Sequence, residues 1–133
     1  MKIQNFFLNI ILIQIFIYFC KSNQETPWAC GATGGSSEKF AKWFAKATCS
    51  KYKCDVNNCC INHDNCYNRQ NGRKACDDSF CECLKTISKK TKCLDGIELF
   101  CLTVKWFGKS PYKNAAKDKN KPPKKPNNCP NTN

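Results

Sequence analysis

The chain has 133 residues, 13 cysteines and a formal net charge of +12. That cysteine density points to a disulfide scaffold in an oxidising compartment, not to a cytosolic enzyme. The length suffices for one small domain, not two, and disulfides must supply much of its stability.

In chain order, "MKIQNFFLNIILIQIFIYFC" places one lysine ahead of an apolar run, and polar "KSNQE" follows at once. This is the pattern of a secretory signal peptide over residues 1–20, cleaved between Cys20 and Gln24. The competing reading is a membrane anchor. The apolar run from Phe6 to Cys20 is ~15 residues, whereas a spanning helix needs about 20. Removing residues 1–20 takes away Cys20 and Lys2 and no acid, which leaves 12 cysteines and a charge of +11. An even number permits six disulfides with no thiol left over. The expected product is secreted and extracellular. Its charge favours anionic partners such as acidic lipid or a sulfated glycan. A secreted chain seldom meets nucleic acid, so no nucleic-acid partner is expected. The sequence contains no N-x-S/T glycosylation acceptor.

"ETPWACGATGG" reads as a loop. Its Cys30-Gly31 and Gly34-Gly35 steps let backbone carbonyls or amides approach a ligand. "SSEKFAKWFAKATC", residues 36–49, reads as a helix that Ser36 or Ser37 can cap. Phe40, Trp43 and Phe44 fall at i, i+3, i+4 on it, bordered by Lys39, Lys42 and Lys46. A core-facing aromatic stripe is the first reading; an interfacial helix against a lipid surface is the second. "SKYKCDVNN" is a connector. A second helix runs from about Asn57 to Arg69 and ends at Asn71-Gly72. A third runs from about Lys74 to Lys89. "CLDGIELFCLTVKWFG" reads as a short helix or irregular segment packed back on the core. From Lys113 onward the Lys-, Pro- and Asn-rich composition cannot bury a core and implies an extended or disordered tail, which only Cys129 can tie down. The resulting division is a signal peptide at 1–20, a domain at 21–112 and a basic tail at 113–133.

The chemistry concentrates in "NNCCINHDNCY", residues 57–67, which holds the chain's only histidine. On a helix, Cys59, His63, Cys66 and Tyr67 share one stripe. On the next helix Cys76 and Cys83 are likewise seven apart, with Phe80 between them. Two antiparallel helices pair positions whose numbers have a constant sum. Cys66 with Cys76 and Cys59 with Cys83 share the same sum, so one register satisfies both bridges. In that register His63 faces position 79, within a turn of Asp77 and Phe80. A carboxylate reaching a histidine ring nitrogen fixes its tautomer and orients it as a base.

The other face of the second helix carries Cys60 and Asp64. Cys30 is a natural partner for Cys60, and that pairing would pin the glycine loop beside Asp64. One carboxylate with backbone carbonyls is an all-oxygen set suited to Ca2+ rather than Zn2+. A base beside a Lewis acid describes ester hydrolysis by an activated water. The bland alternatives are a structural histidine among disulfides, a surface Asp64 and an Asp77 favoured by a helix dipole. A Cys/His zinc site is disfavoured because secreted cysteines oxidise and Cys59 and Cys60 point to different helix faces.

At these residues the chain resembles the secreted phospholipase A2 superfamily. "CCINHDNCY" is similar to that family's active-site motif CC-x-x-H-D-x-C-Y, and "CDDSFCEC" to its second active-site helix. The short interhelical loop, the "CDxxF" pattern and "WACG" look most like group-twelve-type and nematode phospholipase A2-like chains. The resemblance implies a mainly α, small disulfide-rich fold with the site on two antiparallel, disulfide-linked helices. It implies a monomer acting at a phospholipid membrane or micelle. By this resemblance His63 draws a proton from the attacking water, Asp77 bonds the other ring nitrogen and Tyr67 supports Asp77. Asp64 with the carbonyls of Ala29 and Gly31 would hold Ca2+. The bridges Cys30 to Cys60, Cys59 to Cys83 and Cys66 to Cys76 agree with the family's pattern. "CGATGG" departs from it, being one residue longer than C-G-x-G-G, which leaves three alternatives for the third carbonyl ligand: Thr33, Gly34 or none. The expected function is a secreted Ca2+-dependent phospholipase A2. The alternatives are a catalytically silent binder of a receptor, lipid or anionic glycan on the same scaffold, and a toxin-like structural module.

Overall fold

A computed structural model describes residues 11, 13–15, 27–32, 34–89, 93–118 and 120–130. The expected signal peptide lies almost wholly outside the described residues, and so does Thr33. From the glycine loop onward the elements are α1 (Ser36–Cys49), a 3-10 turn (Ser50–Tyr52), α2 (Lys53–Asn68), α3 (Arg73–Lys89), α4 (Leu94–Phe107) and α5 (Lys109–Ala115). No strand occurs among the described residues, so the fold is mainly α, as expected.

α2 has little apolar stripe of its own. Its aliphatic core residues are Val56 and Ile61, and beside them it buries Asn57, His63, Asn65 and Tyr67. What holds it is cross-linking: Cys54, Cys59, Cys60 and Cys66 are all in disulfides, to Cys129, Cys83, Cys30 and Cys76. Cys59–Cys83 and Cys66–Cys76 are the two bridges that the single antiparallel register of α2 and α3 demands. Cys81–Cys101 ties α3 to α4, and Cys49–Cys93 ties the end of α1 to the start of α4. A cross-link of this kind typically contributes ~2–4 kcal/mol. Leu84, Val56, Phe80, Ile87 and Ile97 fill the space between α2, α3 and α4.

Two elements differ from expectation. α2 begins at Lys53, not Asn57, because the connector "KCDV" buries Val56 and carries bridged Cys54. The segment after Cys93 is a full 14-residue helix. Residues 120–130 take an extended path, one of the two forms expected of the tail, and are bonded along α2.

α1 also turns the other way. Its buried face is Ala41, Ala45 and Cys49, a small-residue ridge at i, i+4, i+8. Phe40 is 55% exposed and Trp43 63% exposed, so the aromatic stripe does not face the core. Only Phe44 turns partly inward, edge-on to Phe100 of α4 at 5.9 Å. Neither serine caps this helix. The N-cap is Gly35, while Ser37 Oγ accepts from the Ala32 amide at 3.0 Å and Glu38 Oε2 from the Gly34 amide at 2.5 Å. The first turn of α1 therefore fastens the glycine loop.

Candidate active site

The two cross-links hold α2 and α3 face to face, and His63 lies between them. His63 Nε2 is 2.9 Å from Asp77 Oδ1. The imidazole is packed between Tyr67, with ring centroids 4.1 Å apart, and Phe80, at 4.8 Å. Both members of the pair are buried.

A buried carboxylate is costly unless its oxygens are satisfied. Asp77 meets that requirement with three donors. His63 and the Tyr67 hydroxyl, at 2.5 Å, reach Oδ1, and Arg73 approaches Oδ2 at 3.4 Å from one turn earlier on α3. Burial and then the hydrogen bond to Asp77 push the Tyr67 hydroxyl well above the ordinary tyrosine range. It stays protonated, and so remains a donor, throughout the neutral and mildly alkaline range.

Tyr67 is fixed from behind. Tyr112 of α5 meets its ring edge-on at 5.1 Å. Gly108, between α4 and α5, passes so close that a β-carbon there would collide with the Tyr67 hydroxyl and the Val104 carbonyl. Only glycine leaves the hydroxyl room to reach Asp77.

The second face of α2 carries Asn57, Cys60 and Asp64, at i, i+3 and i+7. Cys60 is bridged to Cys30 in the glycine loop. Asn57 accepts from the Ala29 amide at 2.7 Å and donates to the Pro27 carbonyl at 3.0 Å. Gly31 adopts φ +91 with its α-carbon pressed against the start of α1, where a side chain would strike the Ser37 and Glu38 backbone. Ala29, Gly31, His63 and Asp64 all line one cavity of about 420 Å3, whose walls are otherwise mostly apolar. Asp64 Oδ2 is in an ion pair with Lys124 Nζ at 2.6 Å. Among the described residues no group of three or more His, Cys, Asp or Glu side chains is arranged to hold a metal ion. Cys59, Cys60 and Cys66 are all in disulfides, which removes the zinc alternative.

The structure thus brings His63, Asp77 and Tyr67 into one hydrogen-bonded group. Asp64, Ala29 and Gly31 line the cavity that His63 and Tyr67 also line. Sequence reasoning passed over Arg73, Gly108, Asn57 and Lys124. Asn57 carried a signal, its spacing from Cys60 and Asp64. Arg73 carried one too, four residues before Asp77 on a helix. Gly108 and Lys124 act across 41 and 60 positions, and local spacing says nothing about either.

No family model matches the chain, and no solved structure matches it. It is 38% identical over 91 residues to a phospholipase A2-like protein of Caenorhabditis elegans, an alignment covering 67% of this chain and 52% of that protein. The chain therefore spans about half the length of that relative. Homology and architecture point the same way: this is a relative of a phospholipase A2-like protein, and its all-helical, disulfide-rich fold is consistent with the phospholipase A2 superfamily.

Proposed function

We propose that the chain is a secreted, Ca2+-dependent phospholipase A2 that hydrolyses the sn-2 ester of glycerophospholipids. The observation that carries this reading is the buried His63–Asp77 pair, with His63 on the wall of an apolar cavity. Asp77 engages Nε2, so Nδ1 of His63 is the nitrogen that takes a proton from water. The water oxygen attacks the ester carbonyl, and the proton passes from Nδ1 to the departing alkoxide as the ester bond breaks. Asp77 orients the ring and stabilises the imidazolium, and Tyr67 and Arg73 keep Asp77 in place.

Donor chemistry fits a hard cation. The amides of Ala29, Ala32 and Gly34 donate to Asn57, Ser37 and Glu38. The loop's carbonyls, those of Ala29 and Gly31 among them, are then the oxygens that can join Asp64 around Ca2+. When bound, Ca2+ supplies a Lewis acid that polarises the ester carbonyl.

The aggregated substrate fits the exterior. Phe40, Trp43, Leu99, Leu102, Trp106 and Phe107 are exposed, and Phe40, Leu99 and Phe107 also line the cavity. With Lys39 and Lys46 on α1, this is the composition of a surface that enters an anionic phospholipid interface. We take the protein to act there as a monomer.

The test is fatty-acid release from phospholipid vesicles by wild-type protein and His63→Gln, with Ca2+ or with EGTA. Release that needs both Ca2+ and His63 is expected. A folded wild-type protein that releases no more acid than His63→Gln would sink the proposal. A second reading is favoured by the ion pair on Asp64: a catalytically weak protein of the same fold that binds a receptor, a lipid or a sulfated glycan. It predicts salt-sensitive heparin binding without turnover.

A further inference from the structure

The basic tail is laid along α2 in a defined register. The Lys124 amide donates to Asn65 Oδ1 at 2.9 Å, and Asn65 Nδ2 donates to the Lys124 carbonyl at 2.8 Å. The same two-way clasp recurs between Asn58 and the backbone of Asn127, at 2.7 and 3.0 Å. Beyond it, Cys129 is bridged to Cys54.

The spacings agree. Asn58 and Asn65 are seven residues apart on a helix, ~10.5 Å at 1.5 Å per residue. Lys124 and Asn127 are three apart on an extended chain, about 9–10 Å at ~3.1–3.4 Å per residue. Cys54 and Asn58 stand ~6 Å apart on the same helix scale. Asn127 and Cys129 stand ~6 Å apart on the same extended scale. The tail therefore runs antiparallel to α2 and in step with it. Pro122, Pro123 and Pro126 favour the extended form and reduce the entropy lost on docking.

The consequence of this register falls on Asp64. It delivers the Lys124 ammonium to Asp64 Oδ2 at 2.6 Å, with both side chains about one-third exposed. Asp64 is the carboxylate that lines the cavity beside Ala29 and Gly31. An ammonium donates to carboxylate oxygens but accepts nothing from a substrate, and it cannot share a carboxylate oxygen's charge with a divalent ion at full strength.

We propose that Lys124 is a tethered competitor for the cation seat of Asp64, so that the tail sets how much divalent cation the site requires. This rests on the reading of Asp64 as a Ca2+ ligand. Because the competitor is intramolecular, its effective concentration is fixed by the Asn58, Asn65 and Cys54 anchors and not by solution conditions. Ca2+ must displace Lys124 before it can bind, which weakens its apparent affinity by the fraction of molecules in which Asp64 is free. Displacement removes one ion pair but leaves both asparagine clasps, so the side chain moves while the backbone stays.

The test is calorimetric titration of Ca2+ into the full mature protein, without substrate. Four chains are compared: wild type, Lys124→Met, Lys125→Met and Asp64→Asn. Lys125→Met removes the same charge one position away and controls for the general electrostatic effect. Lys124→Met is expected to bind Ca2+ about five- to tenfold more tightly than wild type. Lys125→Met should match wild type, and Asp64→Asn should abolish the binding. Equal affinity in wild type, Lys124→Met and Lys125→Met, with binding lost in Asp64→Asn, overturns the competitor while the Ca2+ seat stands. Equal gains in both lysine variants overturn it in favour of bulk charge. No binding by any chain, Lys124→Met included, overturns the seat itself and the competitor with it. Melting temperatures of the four chains in EGTA verify that each is folded.

Discussion

Two faces of one helix carry adjacent residues to different fates. His63 points inward, between helices locked by Cys59–Cys83 and Cys66–Cys76, and its partner Asp77 is 14 positions away. Asp64 points toward the glycine loop and the tail, and its partner Lys124 is 60 positions away. The inward face is buried, and Asp77 is bonded by three side chains of the same helix pair. On the outward face the Asp64 side chain is one-third exposed and is held by its ion pair with Lys124. His63 is set by the Cys59–Cys83 and Cys66–Cys76 bridges and by packing against Tyr67 and Phe80. Asp64 is set by the Cys30–Cys60 link to the glycine loop and by a tail that two asparagine clasps and the Cys54–Cys129 bridge hold in place. Changes on the inward face should therefore alter rate and stability together, and changes on the outward face should alter cation dependence first.

The largest effect should come from Asp77→Ala. It leaves the His63 ring nitrogen and the Tyr67 hydroxyl without their acceptor, and should cost about 1–3 kcal/mol of stability in denaturant unfolding. The rate of ester hydrolysis should fall by ~10- to 1,000-fold at saturating lipid. Asp77→Asn sharpens the comparison. It keeps an oxygen for Tyr67, so most of the stability should return while the rate does not, since an amide leaves the imidazolium unstabilised. Full recovery of rate in Asp77→Asn would mean that Asp77 only packs.

Next comes Gly108→Ala. Its methyl displaces the Tyr67 hydroxyl from Asp77, so turnover should drop several-fold while lipid binding to vesicles is unchanged. Paired with Tyr67→Phe, the penalty should shrink, because the colliding oxygen is gone. It should not vanish, because the Val104 carbonyl remains. Strict additivity of the two changes would break the claim that Gly108 acts through Tyr67.

The Cys54→Ser/Cys129→Ser chain tests the outward face. It loses the tail's covalent anchor and should lose about 2 kcal/mol of stability or more. Turnover at saturating Ca2+ should stay within twofold of the parent, while less Ca2+ is needed for half-maximal rate. A large fall in turnover would show that the two faces are not separable. The smallest effect belongs to the exposed pair Lys74–Asp78, an i,i+4 contact on α3. Lys74→Ala should move neither turnover nor the thermal melt beyond measurement error.

The inward face was legible because its information is periodic. Cysteines seven apart on two helices define a register, and the register places His63 opposite position 79, within a turn of Asp77. The outward face was legible only in part. "CGATGG" and Asp64 marked a loop and a carboxylate, and Cys60 connected them. For the tail, composition pointed to an extended form and Cys129 to an anchor, but composition reports what a segment cannot bury, and says nothing about side chains elsewhere that can bind its backbone. Asn58 and Asn65 do that here, and their spacing has meaning only once the tail is known to be extended. The aromatic helix misled for a related reason. Phe40, Trp43 and Phe44 fit a core stripe by period, yet Ala41, Ala45 and Cys49 form an equally regular face. The close approach of α1 to its neighbours selects the smaller one.

The most direct measurement is the identity of the acid released from a phospholipid bearing different chains at sn-1 and sn-2, with wild-type protein in Ca2+ and in EGTA. The expected product is the sn-2 acid alone, in Ca2+ alone. Release of the sn-1 acid, equal release in EGTA, or no release by folded protein would contradict the proposal.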